Sequence, residues 1–138
     1  DKYYALTDKE LAQIQTIFAA DFCTDEEVNV YIKQAFDAGY LMDPHTATCF
    51  KAYDTCRANK SLKSIFYSTA EWTKFSPMIA AALTGQSGLP DIDALRLIAQ
   101  KAQVSIPAKI NALLKKPIAQ DRVIDKQDIE NEILKFLN

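Results

Sequence analysis

The sequence predicts a mainly α-helical fold with one or two short strands. Three observations indicate this: apolar residues recur at helical spacing along most of the chain, helix-starting residues precede these segments, and only two short runs have strand character. The 138 residues, 49% of them hydrophobic and 25% charged, suffice for one domain with a core. We therefore expect a single domain over residues 1–138.

The clearest helix starts lie near the beginning of the chain. Thr7 with Glu10, and Thr24 with Glu27, have the spacing of capping boxes. Apolar residues then follow at helical spacing, Leu11, Ile14, Ile17 and Phe18 in the first helix and Val28, Tyr31, Ile32, Ala35 and Phe36 in the second. Because acidic residues in a first turn complement the helix dipole, these carboxylates do not indicate a metal or acid/base site.

Further helices follow along the chain. Asp43 is a good N-cap and Pro44 fits the first helical position, so a third helix is expected there, after a stop at Gly39. Helical patterns also cover residues 76–83, 91–104 and 106–114. Asp125 is expected to cap a last helix with an apolar stripe of Ile129, Ile133, Leu134 and Leu137.

Two short segments have the composition of strands, Ile65–Tyr67 and Arg122–Ile124. One or two short strands do not form a stable sheet by themselves. We therefore expect the first to belong to a larger sheet supplied by other sequence. Its open edge and the apolar faces beside it predict self-association of this chain.

Composition excludes several classes of function. A formal net charge of −2 provides no basic surface for nucleic acid. No apolar run approaches the ~20 residues that span a bilayer, and no signal peptide is visible, so no membrane partner is expected. The three cysteines, Cys23, Cys49 and Cys56, form no disulfide pattern, which predicts reduced, mostly buried thiols and a cytoplasmic protein.

The residue counts also limit the chemistry. The three glycines, Gly39, Gly85 and Gly88, form no glycine-rich loop of the kind that cradles a phosphate. His45 is the only histidine, which excludes multi-histidine metal sites and most catalytic triads. The sequence accordingly assigns no catalytic residue and no metal ligand.

Two motifs about twenty residues apart carry a family resemblance: Asp43-Pro44-His45-Thr46-Ala47 and Ser68-Thr69-Ala70-Glu71-Trp72-Thr73-Lys74-Phe75. In order and spacing they resemble the C-terminal part of threonine synthase, a pyridoxal-phosphate (PLP) enzyme of the tryptophan-synthase β-subunit fold type. The resemblance covers nearly the whole chain. It implies a C-terminal fragment of an α/β PLP-enzyme fold (fold type II), completed by the N-terminal part of the same enzyme.

The resemblance also implies roles for individual residues. Thr69, with Ser68 beside it, matches the hydroxyl position that contacts the PLP pyridine nitrogen in this fold type. Lys74 is either a ligand of a substrate anion or a surface lysine. The family's Schiff-base lysine lies far upstream of this region. This chain departs from the family at residues 71–73, where Glu-Trp-Thr replaces the usual His-Pro-Ala.

The implied reaction converts O-phosphohomoserine and water to threonine and phosphate, a lyase step of threonine biosynthesis. The isolated chain is expected to be inactive, because it has neither the covalent lysine nor the phosphate loop. Two alternatives remain open. One is a related PLP-dependent lyase such as threonine dehydratase, and the other is a stand-alone, non-catalytic helical interaction domain.

Overall fold

The computed structural model describes residues 5–59 and 61–137, which are mainly helical. The α-helices are α1 (Asp8–Gln15), α2 (Asp25–Asp37), α3 (Pro44–Cys56), α4 (Ser76–Thr84), α5 (Asp91–Ala102), α6 (Ala108–Leu113) and α7 (Ile129–Leu137). Short 3-10 helices cover Trp72–Phe75 and Lys126–Asp128. The chain divides into two compact units, one ending at Ile106 and the other beginning at Pro107.

The helix starts that the sequence predicts at Thr7, Thr24 and Asp43 are confirmed. Both capping boxes are formed, and in α2 the Thr24 amide donates to Glu27 Oε2 at 3.0 Å while the Glu27 amide donates to Thr24 Oγ1 at 3.3 Å. Asp43 caps α3, with a proline in its first turn. Gly39 follows α2 at φ 86°, the left-handed conformation that glycine adopts without strain.

The core of the first unit lies around α4, which packs against α2 and α5, while α2 also packs on α3. Ile32 of α2, Ile79 of α4 and Ile98 of α5 are fully buried within it. Half-buried aromatic residues surround this cluster, among them Phe50 and Trp72. The start of α3 and the 3-10 helix before α4 are therefore held by a common core.

The predicted strands are wrong for both segments. Among residues 5–59 and 61–137 there is no β-strand, and both Ile65–Tyr67 and Arg122–Ile124 are irregular. A strand is stabilised by hydrogen bonds to a neighbouring strand, and neither segment has one within the described chain. The composition of these segments is typical of strands, but composition does not show whether a neighbouring strand is present to pair with them.

The apolar stripes predicted for the first and last helices do not enter a core. α1 and α7 contain no buried residue, and Ile17 and Phe18 just after α1 are 79% and 66% exposed. The expectation of buried thiols is also wrong for Cys56, which is exposed. Amphipathic spacing predicts which face of a helix seeks a partner, and it does not show that this chain contains the partner.

Helix ends shift by a few residues elsewhere. α5 ends at Ala102 rather than 104, because Gln103 adopts a left-handed conformation at φ 54°. The last α-helix begins at Ile129 after a 3-10 turn, and Asp125 makes no side-chain cap there. None of the helices within the described residues is long and apolar enough to cross a bilayer.

The second unit holds α6, the 3-10 turn and α7. Its clearest internal contacts are ionic: Glu132 Oε2 lies 2.6 Å from Arg122 Nη1, and Glu132 Oε1 lies 2.8 Å from Lys135 Nζ. The hydrogen bond from Lys135, aided by Arg122, holds the pKa of the Glu132 carboxyl below its usual value. The large apolar side chains of this unit are mostly exposed. Its ion pairs are therefore better defined than its apolar packing.

Candidate functional site

The structure brings the two sequence motifs together. Thr46 Oγ1, in the first turn of α3, lies 3.5 Å from Ser68 Oγ. One residue earlier, the His45 ring meets the Phe75 ring edge-on, with centroids 4.8 Å apart and planes at 63°. Residues 22 and 30 positions apart in the sequence thus meet at the N-terminus of α3.

Asp43 is the centre of this site. Its Oδ1 accepts hydrogen bonds from the His45 amide at 2.9 Å and the Thr46 amide at 3.4 Å. Its Oδ2 accepts from the Thr46 hydroxyl. The His45 Nδ1 lies 3.1 Å from Oδ1. A residue predicted only as a helix cap therefore organises the polar groups of both motifs.

The carboxyl of Asp43 favours its ionised form although it is buried. Burial opposes ionisation, yet the hydrogen bonds from the Thr46 hydroxyl and from the amides of His45 and Thr46 outweigh that effect. The result is a pKa of Asp43 below its ordinary value. The site therefore contains a buried negative charge that accepts hydrogen bonds and donates none.

This charge fixes the direction of the next hydrogen bond. Thr46 has one hydroxyl hydrogen, and the Asp43 carboxylate, which can only accept, takes it. Any hydrogen shared between Thr46 and Ser68 then comes from Ser68, although their Oγ–Oγ separation of 3.5 Å is long for a hydrogen bond between hydroxyls. Ser68 is exposed, so its hydroxyl also remains open to solvent.

The predicted site residues lie at the surface around this network. Ser68, Thr69 and Lys74 are all exposed. Thr69 Oγ1 has no hydrogen bond to any residue that the structure describes, so it can donate to an added group. Lys74 lies in the 3-10 helix Trp72–Phe75. The structure brings Ser68 to the Asp43 network; for Thr69 and Lys74 it shows exposure and no contact with that network.

The residues fit one part of a PLP molecule. A hydroxyl donor such as that of Thr69 suits an unprotonated ring nitrogen. No glycine-rich loop is present for the phosphate, since the three glycines of the chain lie apart, at Gly39, Gly85 and Gly88.

The segment that carries Ser68 is held against α3 by side chains. Phe66 stacks on Phe50 with centroids 4.7 Å apart and also contacts Tyr53 at 5.5 Å. On either side of Phe66, Ile65 and Tyr67 are 87% and 79% exposed. Aromatic packing therefore fixes Phe66 and leaves its neighbours free to meet other sequence.

Arg57, at the end of α3, holds the beginning of the same segment. Its Nε donates to the Asn59 carbonyl at 2.8 Å, its Nη2 donates to the Leu62 carbonyl at 2.7 Å, and its Nη1 donates to Ser64 Oγ. An open groove of about 650 Å³ runs beside it, lined by Cys56, Lys63 and neighbouring residues. The lining of this groove includes neither Ser68 nor Thr69.

The altered part of the second motif has a structural role. Trp72, where the family commonly has proline, begins the 3-10 helix and packs half-buried against the core. The resemblance places His45 near the active-site cleft, but sequence reasoning gave Asp43 only the role of a helix cap and did not identify the contact between Asp43 and His45. The signal was present in their spacing, because a residue two positions after an N-cap aspartate lies beside its carboxylate. No group of histidine, cysteine and carboxylate residues within the described chain could hold a metal ion.

Comparison with known proteins identifies several relatives that share one name. No protein-family model matches the chain. Proteins named "Threonine synthase-like 1" are similar to it: the Mus musculus protein is 32% identical over 105 residues, which make up 75% of this chain and 14% of that protein. The Homo sapiens protein is 36% identical over 72 residues, or 51% of this chain and 10% of that protein. These similarities support a threonine synthase-like relationship.

The similarity extends to a second primate sequence. The Pongo abelii protein of the same name is 38% identical over 72 residues, covering 51% of this chain. In each case the chain spans a small part of its relative, 10–14% of the length. The relationship therefore concerns one segment of these proteins.

Proposed function

We propose that this chain is the C-terminal part of a cytoplasmic, threonine synthase-like, PLP-dependent enzyme of fold type II. The parent enzyme converts O-phosphohomoserine and water to threonine and phosphate in threonine biosynthesis. The N-terminal part of the same enzyme supplies the covalent lysine and the phosphate-binding loop. The isolated chain is inactive, since its own residues provide neither.

One observation carries this proposal: the two motifs that bear the family resemblance meet in space. The Asp43 network reaches Ser68 through Thr46, and the rings of His45 and Phe75 are in contact. The similarity of 75% of the chain to the Mus musculus protein named "Threonine synthase-like 1", at 32% identity, adds support.

In the proposed site PLP supplies an electron sink for the carbanion chemistry of elimination and replacement. Thr69 donates its hydroxyl hydrogen to the ring nitrogen and so leaves that nitrogen unprotonated. Ser68 contacts Thr46 and directly precedes Thr69, so it helps to place the Thr69 backbone. Lys74 contributes a positive charge for an anionic group of the substrate.

Replacing Thr69 in the full-length protein tests this assignment. Thr69→Ser keeps a donor, so turnover and the PLP absorption spectrum should stay near those of the parent. Valine has a volume similar to that of threonine but no hydrogen-bond donor. Thr69→Val should therefore reduce transition-state stabilisation, calculated from the ratio of kcat/KM values, by roughly 1–3 kcal/mol, because the ring nitrogen is left unpaired. Steady-state kinetics with O-phosphohomoserine and absorption spectroscopy measure both effects.

Thr84→Val provides the matched control, because Thr84 bonds the Ala80 carbonyl within α4 and lies outside the site. It should leave both the spectrum and kcat/KM as in the parent. Should Thr69→Val also leave them unchanged, Thr69 has no contact with the cofactor. Absence of PLP binding by the full-length parent would overturn the proposed function itself.

A further inference from the structure

The open groove beside the end of α3 has no role in the proposed cofactor site. Its volume is about 650 Å³, within the roughly 300–1,000 Å³ of pockets that bury a ligand. Tyr53 and Phe66, whose rings are in contact, line it together with Ile65 and Tyr67. Ile65 and Tyr67 are 87% and 79% exposed. Large aliphatic and aromatic side chains thus meet water along this groove, which is typical of a surface that another polypeptide segment covers.

The groove is also positively charged. Arg57 and Lys63 line it, and none of the described lining residues is a carboxylate. Arg57 donates to neutral acceptors, the carbonyls of Asn59 and Leu62 and the hydroxyl of Ser64, which leave its charge uncompensated. Lys63 is exposed, and its ammonium has no ion pair with any residue that the structure describes. In a chain of formal net charge −2, this groove therefore favours an acidic occupant.

The lengths of the relatives indicate where such an occupant comes from. The 105 residues that match the Mus musculus relative make up 14% of that protein, so most of its sequence lies outside the matched segment. A segment of the same polypeptide binds with an effective concentration of up to about millimolar, an advantage that a second copy of the chain lacks. Contacts along an open groove are therefore sufficient for a tethered segment.

We propose that a segment of the parent polypeptide from outside these 138 residues fills this groove, with apolar side chains over Ile65 and Tyr67 and a carboxylate paired with Lys63. The inference rests on the part of the proposed function that makes this chain a segment of a longer protein, and not on the reaction. Filling the groove removes the two exposed side chains from water and compensates the charge of Lys63.

Cys56 provides a direct measure of whether the groove is filled. It lines the groove and is exposed, so iodoacetamide should alkylate it readily in the isolated chain. In the full-length parent, alkylation of Cys56 should be at least about tenfold slower. Cys23 lies outside the groove lining and is the internal control, with a similar rate in both proteins. Mass spectrometry of the digested protein measures each cysteine separately.

Carbodiimide cross-linking of the parent tests the chemistry of the occupant. This reagent joins an amine to a carboxylate that contacts it, so Lys63 should be linked to an aspartate or glutamate outside residues 1–138. Lys63→Glu should then raise the alkylation rate of Cys56 in the parent roughly three- to tenfold, relative to the same substitution in the isolated chain. Lys109→Glu is the matched control, because Lys109 is exposed and outside the groove, and it should leave that rate unchanged.

The outcomes separate this inference from the proposed function. If Cys56 reacts equally fast in the parent and in the isolated chain, the groove is open and the inference is wrong. Protection of Cys56 that rises with the concentration of the isolated chain would also overturn it, because a second copy would be the occupant. A parent that protects Cys56 but neither binds PLP nor converts O-phosphohomoserine would overturn the proposed function and leave this inference standing.

Discussion

α1 and α2 begin in the same way and end up in different environments. Each starts at a threonine whose side chain and a glutamate three residues later form a complete capping box. α2 then buries Val28, Ile32 and Ala35, whereas α1 buries nothing. Local sequence thus sets where a helix begins, while burial depends on whether the rest of the chain offers a surface.

The largest expected difference between these helices is in stability. Ile32 is 1% exposed and Ile14 is 42% exposed. Ile32→Ala should lower the free energy of unfolding by about 2–5 kcal/mol, because it leaves a cavity in the core. Ile14→Ala should lower it by less than about 1 kcal/mol. Urea unfolding of the chain, followed by circular dichroism, measures both, and equal losses would show that α1 is packed in solution.

A smaller effect is expected from the exposed face that follows α1. If this face is where copies of the chain associate, Ile17→Glu with Phe18→Glu should weaken self-association at least about tenfold, equivalent to about 1.4 kcal/mol. Val30→Glu changes an exposed valine of α2 and should have little effect. Sedimentation at micromolar concentration measures this, and a parent that sediments as a clean monomer would contradict the expectation.

The smallest effect concerns acid. The folded pKa of Asp43 is depressed, so its contribution to stability is present above its unfolded pKa of about 3.9 and is lost as the pH falls through the folded value. Asp43→Asn cannot titrate and should flatten the decline of stability below about pH 4, by less than about 1.4 kcal/mol per pH unit. Unfolding midpoints between neutral and acid pH measure the slope. An unchanged slope would mean that Asp43 is not held ionised.

Sequence alone predicted the parts of the fold that depend on neighbours along the chain. The caps at Thr7, Thr24 and Asp43 are side chain–backbone bonds within three residues, so spacing is enough to identify them. Strands and buried faces depend on distant partners. Ile65–Tyr67 has the composition of a strand, yet no described residue pairs with it, and composition contains no information about that.

The candidate site shows the same division. The motifs identified Ser68 and the start of α3 as belonging together, and the contact from Thr46 to Ser68 agrees with this. The direction of the hydrogen bonds could not be derived from sequence, because it depends on Asp43 being buried and ionised. The surroundings of His45 could not be derived for a similar reason: its ring contacts Asp43 on one side and Phe75, 30 residues further along, on the other.

The hydrogen bonds donated by Arg57 affect how readily a protease can cleave this chain. Its guanidinium binds groups at Asn59, Leu62 and Ser64, so one side chain holds residues 57–59 and 61–64, which form neither helix nor strand. Cleavage by a protease requires several residues of a loop to unfold into the enzyme's active site. The bond after the exposed Lys63 is therefore restrained by a single side chain, and replacing Arg57 should make this bond easier to cleave even though one basic cleavage position has been removed.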